Sequence, residues 1–362
     1  MITIEIERRA KKMEKLSFAS DYMEGAHPEL LRRLVETNLE KTPGYSADDY
    51  CEQAREKIRK ACRCPGAAVH FLAGGTLTNA LMVGALLRQY QGVVAADTGH
   101  ISLHEAGAIE HGGHKVLTIP HENGKLTAAA LRRYLRAFWS DGNREQMVMP
   151  GMVYLSQPTE YGTLYSLSEL TAIRAVCDEY KLPLYCDGAR LAYALACGEN
   201  DVTLPDLARL CDAFYIGGTK CGALLGEAVV LPNSGLIPHF YTIMKQHGGL
   251  LAKGRLMGLQ FDSLFTDDLY LRIGAPAIAA ADRLREIFRS AGCPMAYDSP
   301  TNQLFPVIPD SDLQELAALV DYSFWEKQGE DHTVIRLAAS WATRMEDVER
   351  LAALLKQGGN KK

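Results

Sequence analysis

Short apolar runs alternate with stretches of helical period from about residue 45 to residue 235, and no other feature restricts the fold as strongly. Residues 69–72, 93–96, 116–119, 152–156, 183–186, 213–216 and 228–231 read as strands. Helices are expected over 76–89, near 102–110, over 127–139 and over 168–180. Ser166, Ser168 and Glu169 give the last of these a capped, acidic start. Strands of this length joined by helices need crossover connections. The fold class is therefore α/β, with a mostly parallel sheet covered on both faces.

The texture changes after Pro238. Long helical patterns run over 239–265 and 269–290, followed by short strands at 304–308 and 333–337 separated by helices. That is a smaller α+β unit over 238–362. Residues 1–40 hold a helix but no strand series and are expected to pack with it, leaving 41–237 as the large domain between them.

Composition narrows the function. Apolar residues are 47% and charged residues 23% of the 362, ordinary values for a globular protein. A formal charge of −5 lacks the basic footprint of a nucleic-acid binder. The longest apolar stretch, near 273–281, is broken by Pro276 and falls far short of the ~18 residues of a membrane span. The start, MITIEIERRAKKMEKL, has no hydrophobic core of a secretory signal. The nine cysteines are odd in number, and only Cys62 and Cys64 lie close together, so neither a disulfide framework nor a zinc site is expected. A cytoplasmic protein with reduced, buried thiols follows.

In open α/β sheets ligands bind beyond the carboxyl ends of the strands, and four reactive groups fall there. Gly74-Gly75-Thr76 opens a helix after the first strand, a geometry that cradles phosphate on backbone N–H groups and also serves as an ordinary tight turn. His100 follows the second strand. Asp187 ends the strand at 183–186 and is followed by Gly188, where a carboxylate also suits the cap of the next helix. Lys220 follows Gly217-Gly218-Thr219 just past a buried strand. A P-loop is excluded, because Thr219 separates Gly218 from Lys220 and Cys221 follows. Together the four meet one demand: pyridoxal 5′-phosphate needs a phosphate cradle, a lysine for a Schiff base, a carboxylate for the pyridine nitrogen and a ring to stack on. Asp187 and Lys220 stand 33 positions apart, about one crossover, so they can flank one ring.

The segments Ser20-Asp21-Tyr22, GGTLTN at 74–79, GHISLHEAGA at 99–108, PTEYGTLYSLSEL at 158–170, YCDGARLAYAL at 185–195, YIGGTKCGAL at 215–224 and VIRLAASWAT at 334–343 resemble the threonine aldolase (β-eliminating lyase) family along nearly the whole chain. SDYMEGAHP at 20–28 and MKQHGGLLAKGR at 244–255 resemble one subgroup of it. The resemblance implies the fold-type I pyridoxal-enzyme architecture and a homodimer or homotetramer with shared active sites. It implies Lys220 as the Schiff-base lysine, Asp187 on the pyridine nitrogen, His100 stacked on the ring, and Gly75 and Thr76 on the phosphate. Ser20, Arg190 and Arg336 would clamp the substrate carboxylate, for which the planar guanidinium fork is suited. Lys245, Lys253 or Arg255 would reach a neighbouring subunit's phosphate, and Tyr45 would cross the same interface.

The chain departs from the family where many members carry ENTH. Gln157-Pro158-Thr159-Glu160 stands there, so Glu160 is the candidate base for the substrate hydroxyl, a bound water is the alternative, and a structural hydrogen bond to a loop is the plainer role. No metal is expected: His100, His104, His111, His114 and His121, with Glu105 and Glu110, do not form H-E-x-x-H. The expected reaction is cleavage of a threonine-like β-hydroxy-α-amino acid to glycine and an aldehyde. The alternative is β-elimination to a keto acid and ammonia. A non-catalytic binding scaffold is disfavoured because Lys220, Asp187, Arg190 and Arg336 are all present.

Overall fold

The structure, a computed structural model, describes residues 15–359. The opening residues 1–14, on which the expectation about a targeting signal rests, lie outside the described residues.

A two-residue strand, β1 (Leu16–Ser17), opens the described chain. A seven-stranded sheet then forms from β2 (Ala68–Leu72), β3 (Gln91–Ala96), β4 (Val116–Ile119), β5 (Met149–Ser156), β6 (Leu184–Asp187), β7 (Ala213–Gly217) and β8 (Glu227–Leu231). The spatial order is β2–β8–β7–β6–β5–β3–β4. Pairs from β7 through β4 are parallel, whereas β8 runs antiparallel to both β7 and β2. The expected covered, mostly parallel sheet is therefore observed.

Both faces are apolar, which is why the strands read as continuous runs. Val94, Leu155, Phe214 and Val230 face one side of the sheet, while Val93, Met152, Tyr215 and Val229 pack on the other. Burying each such side chain contributes about 1.5–3 kcal/mol. The helix Leu167–Tyr180 covers the first face with Leu170, Ile173, Val176 and Cys177, and Ser166 and Glu169 form a reciprocal capping box at its start.

The remaining strands are β9 (Gln303–Leu304), β10 (Val307–Pro309), β11 (Val320–Asp321), β12 (Ser323–Gln328) and β13 (His332–Ala338). β10, β13 and β12 form an antiparallel sheet, β9 pairs with the far end of β13, and β1 pairs parallel with β11. The helix Pro28–Glu36 lies against the helix Arg255–Leu264, where Arg33 and Lys57 both pair with the buried carboxylate of Asp262.

Three local expectations are corrected. The helix expected near 102–110 is two short helices, His100–Leu103 and Ala108–His111, because Ala106 and Gly107 adopt positive φ between them. The strand expected at 304–308 is split into β9 and β10 around Phe305-Pro306, and Pro306 has no N–H to give a ladder. β12 was not foreseen: it is a largely exposed edge strand of mixed polarity.

Candidate active site

The ends of β5, β6 and β7, the start of β8 and the turn after β2 enclose a cavity of 260 Å³. Gly74 caps the helix Gly75–Leu86 without a side-chain hydrogen bond, so the first-turn N–H groups keep free of a protein acceptor. Gly75 and Thr76 line the cavity at that end.

Asp187 is the last residue of β6 and is 4% exposed. Its Oδ2 accepts the Tyr154 hydroxyl at 2.7 Å and the Asn79 amide at 3.0 Å, and its Oδ1 accepts the Ala189 N–H at 2.9 Å. Burial pushes this carboxyl up, but charge on His100 and hydrogen bonds from Tyr215, Tyr154 and Asn79 more than reverse it, holding it below its ordinary value. The neighbouring position must be glycine. A Cβ on Gly188 would lie 2.0 Å from the Tyr215 carbonyl oxygen, so the turn after β6 packs backbone on backbone against β7.

That contact brings Lys220 to the same cavity. Its carbonyl accepts the Tyr193 hydroxyl at 2.6 Å, and its ammonium lies 5.9 Å from the centre of the Tyr22 ring. Burial lowers the Lys220 pKa, and the nearby Arg190 lowers it further. His100 opens its short helix with Nδ1 2.8 Å from Glu105. The Glu105 carboxylate also accepts the Asn79 amide at 2.7 Å, so His100, Glu105, Asn79 and Asp187 form one continuous network.

Glu160 is buried where the β5 turn meets His100. Its Oε1 accepts the His100 N–H at 2.9 Å and the Ser156 hydroxyl at 2.7 Å. Burial raises its pKa. The structural hydrogen bond to a loop is thus present, and the carboxyl also lines the cavity.

A second chamber of 440 Å³ shares Tyr22, His100, Glu160, Arg190 and Lys220 with the first and is closed by Arg336, His104, Tyr161 and Trp325. Arg190 donates from Nε and Nη2 to Asp21 at 2.6 and 3.0 Å. Burial opposes its charge and Asp21 overcomes this, leaving the guanidinium pKa raised. Arg336 donates to the Ala19 carbonyl at 3.2 Å and the Ser323 hydroxyl at 3.3 Å, and burial and Arg190 lower its pKa. Ser20 lies beside Tyr22, and its hydroxyl is the main cause of the lowered Tyr22 pKa. Two guanidiniums and a lysine on one chamber favour an anionic ligand.

Lys245, Lys253, Arg255 and Tyr45 do not line either chamber. The Lys245 ammonium sits 3.9 Å from the centre of the Tyr45 ring, and Tyr45 N–H donates to Ala252 at 3.2 Å, so the two segments share one exposed patch. Arg255 is held in its own chain by the carbonyls of Thr37 and Glu40. Among the described residues no group of three His, Cys, Asp or Glu side chains is placed to hold a metal ion.

Residues 17–356 match the model of the beta-eliminating lyase family. The chain belongs to that family. Low specificity L-threonine aldolase of Pseudomonas aeruginosa is 32% identical over 341 residues, covering 92% of this chain and 95% of that protein. Among solved structures, Leishmania major threonine aldolase superposes with a TM-score of 0.91 at 41% identity, covering 94% of this chain and 99% of that one. Aspartate aminotransferase of Thermus thermophilus, 15% identical with a TM-score of 0.69 over 98% of this chain and 94% of that one, shares the fold.

Within this lyase-family chain, reasoning from sequence missed Asp21, Asn79, Tyr154, Thr219 and Glu227 as parts of the site. Asn79 and Thr219 lie inside the quoted GGTLTN and GGTK segments. Tyr154 had no signal, since a tyrosine inside a buried strand looks like core.

Proposed function

We propose that this chain is a pyridoxal 5′-phosphate-dependent carbon–carbon lyase that cleaves β-hydroxy-α-amino acids of the threonine or allo-threonine type to glycine and an aldehyde. The reading is carried by one observation: Lys220, Asp187, His100 and the uncapped Gly75–Thr76 helix end line one cavity. Those groups fit the coenzyme. The helix end offers N–H donors to a phosphate, Asp187 is held as an anion for a pyridine nitrogen, and Lys220 has the depressed pKa that makes an amine nucleophilic.

When bound, the coenzyme supplies an electron sink for the pair released as the Cα–Cβ bond breaks. The chain's own residues do the rest. Gly75 and Thr76 hold the phosphate, and His100 covers the ring. Arg190, Arg336 and Ser20 take the substrate carboxylate, which fixes the bond presented for cleavage. Because Glu160 Oε1 already accepts two hydrogen bonds, Oε2 is the atom that takes the β-hydroxyl proton. The patch of Tyr45, Lys245 and Lys253 completes a neighbouring subunit's phosphate site in a homodimer or homotetramer. All nine cysteines are unpaired, which supports a cytoplasmic setting.

Incubating the holoenzyme with a panel of β-hydroxy amino acids tests the reading. Aldehyde and glycine in equal amounts are expected; keto acid and ammonia without aldehyde would move the assignment to β-elimination. Borohydride is expected to fix coenzyme to the parent and not to Lys220→Ala, and fixation in the variant would refute the lysine assignment.

A further inference from the structure

β8 is the one strand of the large sheet that runs against its neighbours, and its first residue, Glu227, is wedged between two strand tips. It pairs with Leu72, which leads into the Gly74–Thr76 turn, and with Gly217, which leads into Thr219 and Lys220. The residue is 3% exposed and lines the same cavity as Gly75, Thr76, Thr219 and Lys220. Oε2 accepts the Gly218 N–H at 3.2 Å, and Oε1 lies 3.0 Å from Thr219 Oγ1. Thr219 Oγ1 in turn accepts the Gly226 N–H at 2.9 Å.

A hydroxyl has one proton to donate and two lone pairs to accept with. When Glu227 is ionised, the single Thr219 proton is committed to it, and an anion faces the place where a phosphate would sit. When Glu227 is protonated, its own O–H donates into the second lone pair of Thr219 Oγ1, and the Thr219 proton is released to turn into the cavity.

We propose that Glu227 is a positioning residue that holds its proton when the coenzyme phosphate is bound and, through Thr219, turns a hydroxyl donor toward that phosphate. This rests on the coenzyme reading above. The titratable groups facing it are Lys220 and Cys221 from its own turn, Asp187 and Tyr185 from β6, Tyr215 from β7, and Tyr270 from the helix Leu269–Arg272. Only Lys220 among them is cationic. Burial dominates and lifts the Glu227 carboxyl to about 8.

The test uses the full chain stripped of coenzyme and titrated with pyridoxamine 5′-phosphate, which lacks the aldehyde and so reports binding without a covalent bond to Lys220. Tryptophan fluorescence gives Kd from pH 6.5 to 9.5. The ligand's own titrations are common to parent and Glu227→Gln and cancel in their comparison. Relative to the variant, the parent is expected to weaken by roughly tenfold per pH unit above about pH 8. Glu227→Gln, whose amide donates to Thr219 without titrating, holds its affinity there. Pyridoxamine, without phosphate, is expected to bind parent and variant alike at every pH. Parallel profiles with pyridoxamine 5′-phosphate would overturn the proposal. Should Glu227→Gln not fold, Thr219→Val is expected to bind about tenfold more weakly at pH 7 and Thr219→Ser to restore the parent; parent-like binding by Thr219→Val also overturns it. Absence of binding by any phosphorylated ligand at any pH would sink the coenzyme reading itself and this inference with it.

Discussion

Asp21→Asn is the sharpest probe of how the site is held together. Asp21 is fully buried and accepts three hydrogen bonds, two from Arg190 and one from Asn302 at 2.9 Å. Burial pushes its carboxyl up, but Arg190 and Lys220 outweigh this and bring it from 3.8 to about 2. At 1.36 kcal/mol per pH unit that drop corresponds to about 2 kcal/mol of stability at neutral pH. The asparagine keeps the shape but strands the buried Arg190 charge, and breaking one side of such a pair costs about 3–5 kcal/mol. A loss of about 3 kcal/mol, set against roughly 2.1 cal/mol/K of unfolding entropy per residue, lowers Tm by about 4 °C in a chain of this length. Differential scanning calorimetry of parent and variant reads the shift. The sign with pH follows from the direction: a depressed carboxyl stabilises above its unfolded value and loses that contribution only as pH falls through its folded value. The gap between the two proteins is therefore expected to stay constant from pH 8 to pH 5. A shift under 1 °C, or a gap already closing between pH 7 and pH 5, would show that Arg190 does not depend on Asp21.

Two further outcomes follow from the same geometry. Glu160→Gln is expected to lower kcat by about 10²–10⁴-fold with coenzyme still bound, the range for a lost general base. A base must be ionised, so the parent's activity falls as pH drops through the raised Glu160 value, and the variant loses that acid limb; a limb unchanged in the kcat/KM profile would remove Glu160 from the proton transfer. Tyr154→Phe takes one donor from Asp187 and lets its carboxyl rise. Hydrogen bonds to charged groups contribute about 1.5–3 kcal/mol, so coenzyme affinity by fluorescence titration is expected to weaken at least tenfold; unchanged affinity would show that Tyr154 does not tune this carboxylate.

What the sequence made legible follows from where each constraint is written. The strands of the large sheet were readable because both faces are covered, so each is a continuous apolar run. The reversed direction of β8 was not, since burial is the same whichever way a strand points. β12 escaped because its residues are mostly exposed and mixed in polarity. Asp187, Lys220 and the Gly75 turn stood out as reactive or glycine-rich letters at strand tips. Their partners did not: Asn79 reaches Asp187 across 108 positions and Tyr154 reaches it across 33, and no local spacing encodes either bond. Glu227 is the instructive case. Asp187 is followed by a glycine whose missing Cβ lets two backbones meet, and Glu227 is preceded by one that a left-handed backbone requires. Gly226 has φ +107°, and a Cβ there would lie 2.6 Å from the Met257 sulfur. An acidic residue beside a glycine so constrained, at either end of an apolar run, marks a carboxyl aimed into a crowded strand tip. On that rule the GE pair that opens EAVVL carries the same message as the DG pair that closes LYCD, and the carboxyl at 227 belongs to the site as much as the one at 187.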